Sequence, residues 1–186
     1  MLDRDTFTFM TLDENDFLTF QLYTASKTPR IRNGRIRTWI LMTVTFLLFA
    51  YLFYKSNNES LTVYFLSFAG LSALFAPLYT RWRYRQHYLR YIRDTYKNRL
   101  GQECTLILDT DTVGSKSNAE EVKIKKSEIE EINEIRDYYF LKARSGTILL
   151  ISKSKTENRE EIEKLIKSLV ETYRVRHNVE LNWKWR

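Results

Sequence analysis

The sequence predicts an α+β membrane protein: a two-helix transmembrane hairpin carrying a small cytoplasmic antiparallel β-sheet or partial barrel, capped by a C-terminal helix. Three observations predict it. Two apolar runs without a charge, Thr38–Tyr54 and Leu61–Tyr79, stand side by side in the chain. Short, strand-like segments punctuated by turn residues fill residues 103–152. After them Ile162, Leu165, Ile166, Leu169, Val170 and Tyr173 recur at the spacing of one helical face.

The runs suit a bilayer. A hydrocarbon core of about 30 Å needs roughly 17–25 apolar helical residues, and at about 1.5 Å per residue the two runs reach about 25 and 28 Å. Both lie at the short end and fit a thin or locally compressed membrane. The hydroxyls of Thr43, Thr45, Ser67 and Ser72 can bond back to the preceding turn. Pro77 falls near the end of the second run, where a kink is tolerated. Trp39, Tyr51, Tyr54, Tyr64, Tyr79 and Trp82 sit near the run ends, at the depth amphipathic rings favour. Residues 55–60 form a connection short enough to make the pair antiparallel. The alternative is a buried helical pair in a soluble protein, which two adjacent charge-free runs oppose. A signal peptide would begin near residue 1, ahead of any polar segment.

Charge sets the expected orientation. Lys27, Arg30, Arg32, Arg35 and Arg37 precede the first run; Arg81, Arg83, Arg85, Arg90, Arg93, Lys97 and Arg99 follow the second; the connection has Lys55 balanced by Glu59. The positive-inside bias puts both termini in the cytoplasm of a cell-membrane protein with two spans. The net charge of +7 divides as +1 over residues 1–37, +6 over 38–100 and zero over 101–186. The excess is juxtamembrane, which argues against nucleic acid as a partner. It favours a bilayer with anionic headgroups, with Arg35, Arg37, Arg81, Arg83 and Arg85 as the candidate lipid contacts.

The expected organisation is an N-terminal strand and helix over 1–37, the hairpin over 38–80, a basic juxtamembrane helix over 81–100, and a β domain with C-terminal helix and tail over 101–186. Thr6–Thr11 alternates as a strand, with Phe7 and Phe9 on one face. Thr11 and Glu14 have capping-box spacing for a helix to about Ser26, with Phe17, Leu18, Leu22 and Ala25 inward. Thr28-Pro29 ends that helix and Gly34 marks a further break. Residues 80–100 are helical in pattern: either an amphipathic helix lying on lipid, or a stalk continuing the second span with its tyrosines packed on the N-terminal helix. His87 reads as a solvent-facing histidine.

In the β domain, strands are expected over 103–108, 112–116, 120–125, 129–135 with a bulge, 138–143 and 147–152. Asp109-Thr110-Asp111, Ser117-Asn118, Lys126–Glu128, Arg136-Asp137 and Ser145-Gly146 are the turns. Cys104 is the single cysteine and lies in an apolar alternation, as a packed thiol would. Ser154 and Glu157 suggest a second capping box before the C-terminal helix. The strict alternation of Val179, Leu181, Trp183 and Trp185 predicts a last strand, which either extends the sheet beside Phe7–Thr11 or turns its tryptophans to the membrane interface.

This layout resembles the YcxB-like family of bacterial membrane proteins, whose C-terminal part is similar to a pleckstrin-homology barrel. The residues that carry the likeness are 11–17 (TLDENDF), 105–113 (TLILDTDTV), 124–129 (IKKSEI), 134–141 (EIRDYYFL) and 148–153 (ILLISK). Lys126 stands where members commonly have tryptophan before the Ser-acid-Ile triplet, and Ser152 where they often have proline. The family brings no established activity. Pleckstrin-homology domains that bind phosphoinositides use basic residues in the first hairpin loop; here that loop is Asp109-Thr110-Asp111, which repels phosphate.

The chemistry the sequence offers is sparse. No glycine-rich phosphate loop, no Cys–His ligand spacing and no serine elbow is present. Glu120-Glu121, Glu130-Glu131 and Glu160-Glu161 read as solvated faces. The expected function is therefore a membrane-anchored cytoplasmic binding or regulatory module without catalytic activity, metal or cofactor, offering a sheet edge to a protein partner. A homo-oligomeric transport or pore accessory is the alternative, prompted by the small-xxx-small spacing of Ala69 and Ala73.

Overall fold

The computed structural model describes residues 6–97, 100–118 and 121–185, with side chains from residue 9 onward. The Phe7 side chain, Arg99, Glu120 and Arg186 lie outside the described residues. The chain divides into two units. One comprises residues up to Phe20 together with Tyr91–Lys184, and the other Gln21–Arg90 with the C-terminal end.

The first unit is α+β. β1 (Thr6–Thr11), β2 (Glu103–Leu108), β3 (Thr112–Lys116) and β4 (Glu121–Lys125) form an antiparallel sheet in that order. β5 (Ile129–Glu134), β6 (Tyr138–Ala143), β7 (Ile148–Ser152) and β8 (Arg176–Val179) form a second, ordered β7-β6-β5-β8. A single 3₁₀ turn at Lys126–Glu128 joins the sheets, and the expected bulge lies in β5 between Ile129 and Glu131. Alternation decides the faces: Met10, Leu106, Val113 and Ile124 from the first sheet, and Ile132, Leu141, Leu149 and Ile151 from the second, are buried.

Two arrangements differ from the expectation of one antiparallel sheet. First, β8 runs parallel to β5. α4 (Arg159–Tyr173) leaves β7 and returns the chain along the sheet, and a helical return makes the next strand parallel. Second, the terminal strand lies upstream of the Val-Leu-Trp-Trp alternation: Val179 ends β8, and Leu181 and Asn182 form a turn. β1 pairs with β2, leaving no place for the tail beside it on that side. The zigzag of residue types was a chance match to strand period.

Helix starts also differ. α1 (Glu14–Lys27) is capped by Asp13 rather than Thr11. The Asp13 carboxylate accepts from the backbone N–H groups of Asn15 and Asp16, and the Asp16 carboxylate accepts from the Asp13 N–H. That is a capping box with aspartate at both ends. α4 starts after Asn158 without a side-chain cap, so Ser154 and Glu157 form no box. Its buried face is Ile162, Leu165, Ile166 and Leu169, as the spacing predicts. It ends on Arg174 in the left-handed region at φ 54°.

The second unit is a helical hairpin. α2 (Pro29–Lys55) runs unbroken through Gly34, and α3 (Glu59–Thr95) runs through Pro77 and on past the apolar run. The basic segment after Tyr79 is therefore a continuation of the second helix, not a separate one. The two helices are antiparallel, since contacts descend on one as they climb the other. Trp39 Nε1 donates to the Ala73 carbonyl, Thr43 meets Ser72 at 3.1 Å, and Phe46, Phe49 and Phe53 meet Phe68, Phe65 and Phe65. Ala50, Ala69 and Ser72 are buried, so the small residues serve this contact within the chain.

Gly114 in β3 has no room for a side chain: a Cβ there would strike the Val122 carbonyl oxygen of β4. Gly114→Ala is expected to cost about 1–3 kcal/mol. Arg174→Gly is expected to stabilise by about 0.5–1 kcal/mol by removing left-handed strain. Urea midpoints of the full chain in mild detergent, followed by the β-sheet circular dichroism signal, check the opposite signs.

Candidate functional site

Three places bring polar groups together. The first lies where α1 enters the α+β unit. Asp16 is 1% exposed. Besides the Asp13 N–H, its carboxylate accepts from the Tyr138 hydroxyl at 2.7 Å and from Lys155 Nζ at 2.6 Å. Lys155 also reaches Asp13 at 2.7 Å. Burial, and then the hydrogen bond to Asp16, push the Tyr138 hydroxyl well above the usual phenol range. The Lys155 ammonium holds the Asp13 carboxyl below its ordinary value. The buried Asp16 carboxylate is met by donors from three elements: the network pins the start of α1 to β6 and to the turn after β7.

The second is centred on Glu134 at the end of β5. Its carboxylate accepts from Lys153 Nζ at 2.6 Å and meets His177 Nε2 of β8 at 2.8 Å. Lys153 in turn lies over the Tyr139 ring at 4.3 Å. Burial would raise Glu134, and the hydrogen bonds and charge of Lys153 and His177 outweigh it, so the carboxyl titrates below its usual value. Tyr139 is pushed up to about 12 by burial and then by Glu134. Alongside, Asn178 donates to Glu131 and Asn133. These bonds hold β8 in register on β5.

Between the two sheets lies a cavity of about 110 Å³, bordered by Met10, Gln102, Cys104, Ser115 and Leu149. Burial pushes the Cys104 thiol up, partly offset by a bond with Ser115, which makes it a poor nucleophile. The β2–β3 turn stays anionic: the Asp109 carboxyl is held low by the Thr110 N–H and by Thr112, and Lys123 sits 3.5 Å away. Among the described residues, no three His, Cys, Asp or Glu side chains stand close enough to hold a metal ion.

The third place is in the hairpin. Where the apolar runs give way to their basic flanks, α2 and α3 border a cleft of about 650 Å³. Arg35 lines it from α2, and Arg83, His87 and Arg90 line it from α3; Trp39, Met42, Ala76 and Tyr79 form its apolar end. The three α3 groups fall at i, i+4 and i+7, one face of the helix. The Arg35 guanidinium is stacked over the Trp185 ring at 4.5 Å and the Tyr84 ring at 5.6 Å. Trp185 also donates to the Arg81 carbonyl.

The five arginines expected at lipid are thereby sorted. Arg35 and Arg83 line the cleft. Arg37 borders an apolar groove on α2 with Ile36, Ile40 and Val44. Arg81 and Arg85 are exposed on α3. Arg90 and His87 were missed as a group, although their spacing from Arg83 was a usable signal. His87 is exposed, as read from sequence, with its ring edge-on to Tyr88. The Asp16 and Glu134 networks had no local signal, because their partners lie far away in sequence. Comparison with family models, with curated proteins and with solved structures gives no match for this chain.

Two predictions follow from the networks. Lys155→Met strands a buried carboxylate and is expected to cost about 3–5 kcal/mol in denaturant unfolding. Asp13 and Glu134 both titrate lower folded than unfolded. Their contribution is fully present above the unfolded values of 3.8 and 4.5 and is lost as pH falls through the folded values. The unfolding midpoint is thus expected to drop from about pH 4.5 downward, and less steeply in a Glu134→Gln variant.

Proposed function

We propose that this chain is a membrane-anchored binding module: α2 and α3 cross the bilayer as a hairpin, and the α+β unit stands on the cytoplasmic side. One observation carries the reading. In the most apolar windows of α2 and α3, only 6% and 11% of residues are buried. A core helix of a soluble protein would be covered. Here Leu41, Val44, Leu48, Tyr51, Leu74, Phe75 and Leu78 face outward, a continuous apolar surface far beyond what water-soluble monomers expose. The basic flanks at Arg30–Arg37 and Arg81–Arg93 support cytoplasmic termini.

The α+β unit supplies the binding function in this reading. Two facing sheets closed by α4 are the arrangement that a pleckstrin-homology-like, YcxB-like membership implies, with β1 and β8 added. The polar clusters described above have structural uses, which supports a binding module rather than an enzyme. A protein partner would add a strand at a free sheet edge. β1, with Phe9 half-exposed, suits this better than β4, whose outward Glu121, Lys123 and Lys125 discourage pairing. The alternative of a homo-oligomeric component loses its motif, since Ala69 is spent inside the hairpin.

Membrane fractionation with terminal tags tests the reading. The chain is expected to stay in the pellet after alkaline carbonate extraction, with both tags digested only from the cytoplasmic side. Recovery in the high-speed supernatant, or tags on opposite sides, overturns it.

A further inference from the structure

Pro77 gives α3 a weak turn. A proline has no N–H to offer the carbonyl one turn back, and its ring crowds that carbonyl. In α3 the carbonyl concerned is that of Ala73. The Trp39 indole of α2 donates to it at 3.3 Å. Just beyond the proline, the Thr80 hydroxyl donates to the Ala76 carbonyl at 2.7 Å, a bond that favours bending. Prolines are where long helices kink.

The two sides of Pro77 are held differently. Toward the connection, α2 and α3 pack ring on ring, Phe46 on Phe68 and both Phe49 and Phe53 on Phe65, with Thr43 on Ser72. Toward the basic flanks the helices border the cleft of about 650 Å³, and side chains bridge it. The Arg35 guanidinium of α2 lies over the Tyr84 ring of α3 at 5.6 Å. Trp185 joins both helices: it is buried, its ring lies under Arg35 at 4.5 Å and beside Tyr84 at 6.2 Å, and its indole N–H donates to the Arg81 carbonyl at 3.4 Å. Trp185 arrives on the segment that follows β8, not on either helix. It can therefore leave without breaking a turn of α2 or α3.

We propose that α3 is hinged at Pro77 and that Trp185 is a releasable clasp holding the basic end of α3 against α2. With the clasp withdrawn, Arg35 loses a ring face and α3 loses the indole bond at Arg81. The segment beyond Pro77 then swings away from α2, while the part packed by phenylalanines stays in place. Every contact in this device lies within the hairpin unit, so it stands whether or not the hairpin crosses a bilayer.

Double electron–electron resonance between spin labels, on the full chain in mild detergent, tests it. In a Cys104→Ser background, labels at Arg32→Cys and Arg85→Cys report the basic ends. Labels at Leu48→Cys and Leu66→Cys report the packed side; all four positions are exposed. From Pro77 to Arg85 the helix is about 12 Å long at about 1.5 Å per residue. A swing of about 20° moves its tip by about 4 Å. Trp185→Ala is expected to broaden the basic-end distance and lengthen it by about 4 Å, and to leave the packed side unchanged. Trp185→Phe keeps a ring under Arg35 and is expected to match the parent. Pro77→Ala added to Trp185→Ala restores the helical bond and is expected to reverse at least about half of the opening. If Trp185→Ala aggregates, Trp185→Leu takes its place; it keeps apolar volume without a ring face and is expected to open the same end.

A basic-end distance that neither Trp185→Ala nor Trp185→Leu changes overturns the clasp. So does an opening as large in Trp185→Phe as in Trp185→Ala. Equal lengthening of both distances is a loosening of the whole hairpin and overturns the hinge. An opening that Pro77→Ala does not reverse overturns Pro77 as its place.

Discussion

Asp16 imposes the geometry on which the α+β unit depends. A carboxylate withdrawn from water costs several kcal/mol unless its lone pairs are filled and its charge is met. Asp16 fills them from three directions: the Asp13 N–H of the helix cap, the Tyr138 hydroxyl of β6, and the Lys155 ammonium of the turn after β7. Satisfying all three fixes where α1 begins and which way it points relative to the second sheet. α3 re-enters the unit beside it, with Arg93 on Glu14 at 2.8 Å and Tyr96 stacked on Phe17 at 4.7 Å. The exposed Arg93–Glu14 pair adds little energy of its own. The chain thus leaves the unit and returns to it at neighbouring points, and the buried carboxylate keeps them there.

The two units treat charge in opposite ways. In the α+β unit, acids and bases are matched at close range, as at Asp16–Lys155, Glu134–Lys153, Lys142–Glu131 and the i,i+4 pair Arg159–Glu163. Such a surface is well suited to short-range recognition and poor at drawing a charged partner from afar. The hairpin has all its cations but Lys55 at one end, and from Gln21 to Arg90 one acidic side chain, Glu59. Its stability comes from aromatic stacking and small-residue contacts, with Phe49 and Phe53 closing on Phe65.

Local chemistry made much of this legible. Turn residues placed nearly every strand, because Asp109-Thr110-Asp111 and Ser145-Gly146 allow little but a reversal. The α4 face and the apolar runs followed from period alone. What stayed hidden was decided by competition or by distance. Asp13 displaced Thr11 as the cap because a carboxylate two residues nearer the helix takes the same N–H groups and is answered by Asp16. Gly34 failed as a breaker because its cost in a helix, about 1 kcal/mol, is small beside the propagation of a long helix on either side. The Trp183–Trp185 alternation promised a strand, yet Trp185 is buried on Arg35 and Tyr84, a contact that no period encodes. The cleft residues were half legible. Positive charge identified Arg35 and Arg83, whereas grouping them with Arg90 needs the knowledge that α3 continues unbroken past Pro77.

Where phosphate recognition belongs in such a chain is a question of charge, not of fold. The sequence resemblance to pleckstrin-homology barrels would imply a headgroup site at the first hairpin loop. In this chain that loop has two aspartates, one of them held firmly anionic by Thr110 and Thr112. A phosphate approaching it meets like charge at short range. The hairpin has the opposite character: its basic end is adjacent in sequence to apolar runs long enough for hydrocarbon. α1 and α3 run from one unit into the other, and the chain crosses a third time between Lys184 and Trp185.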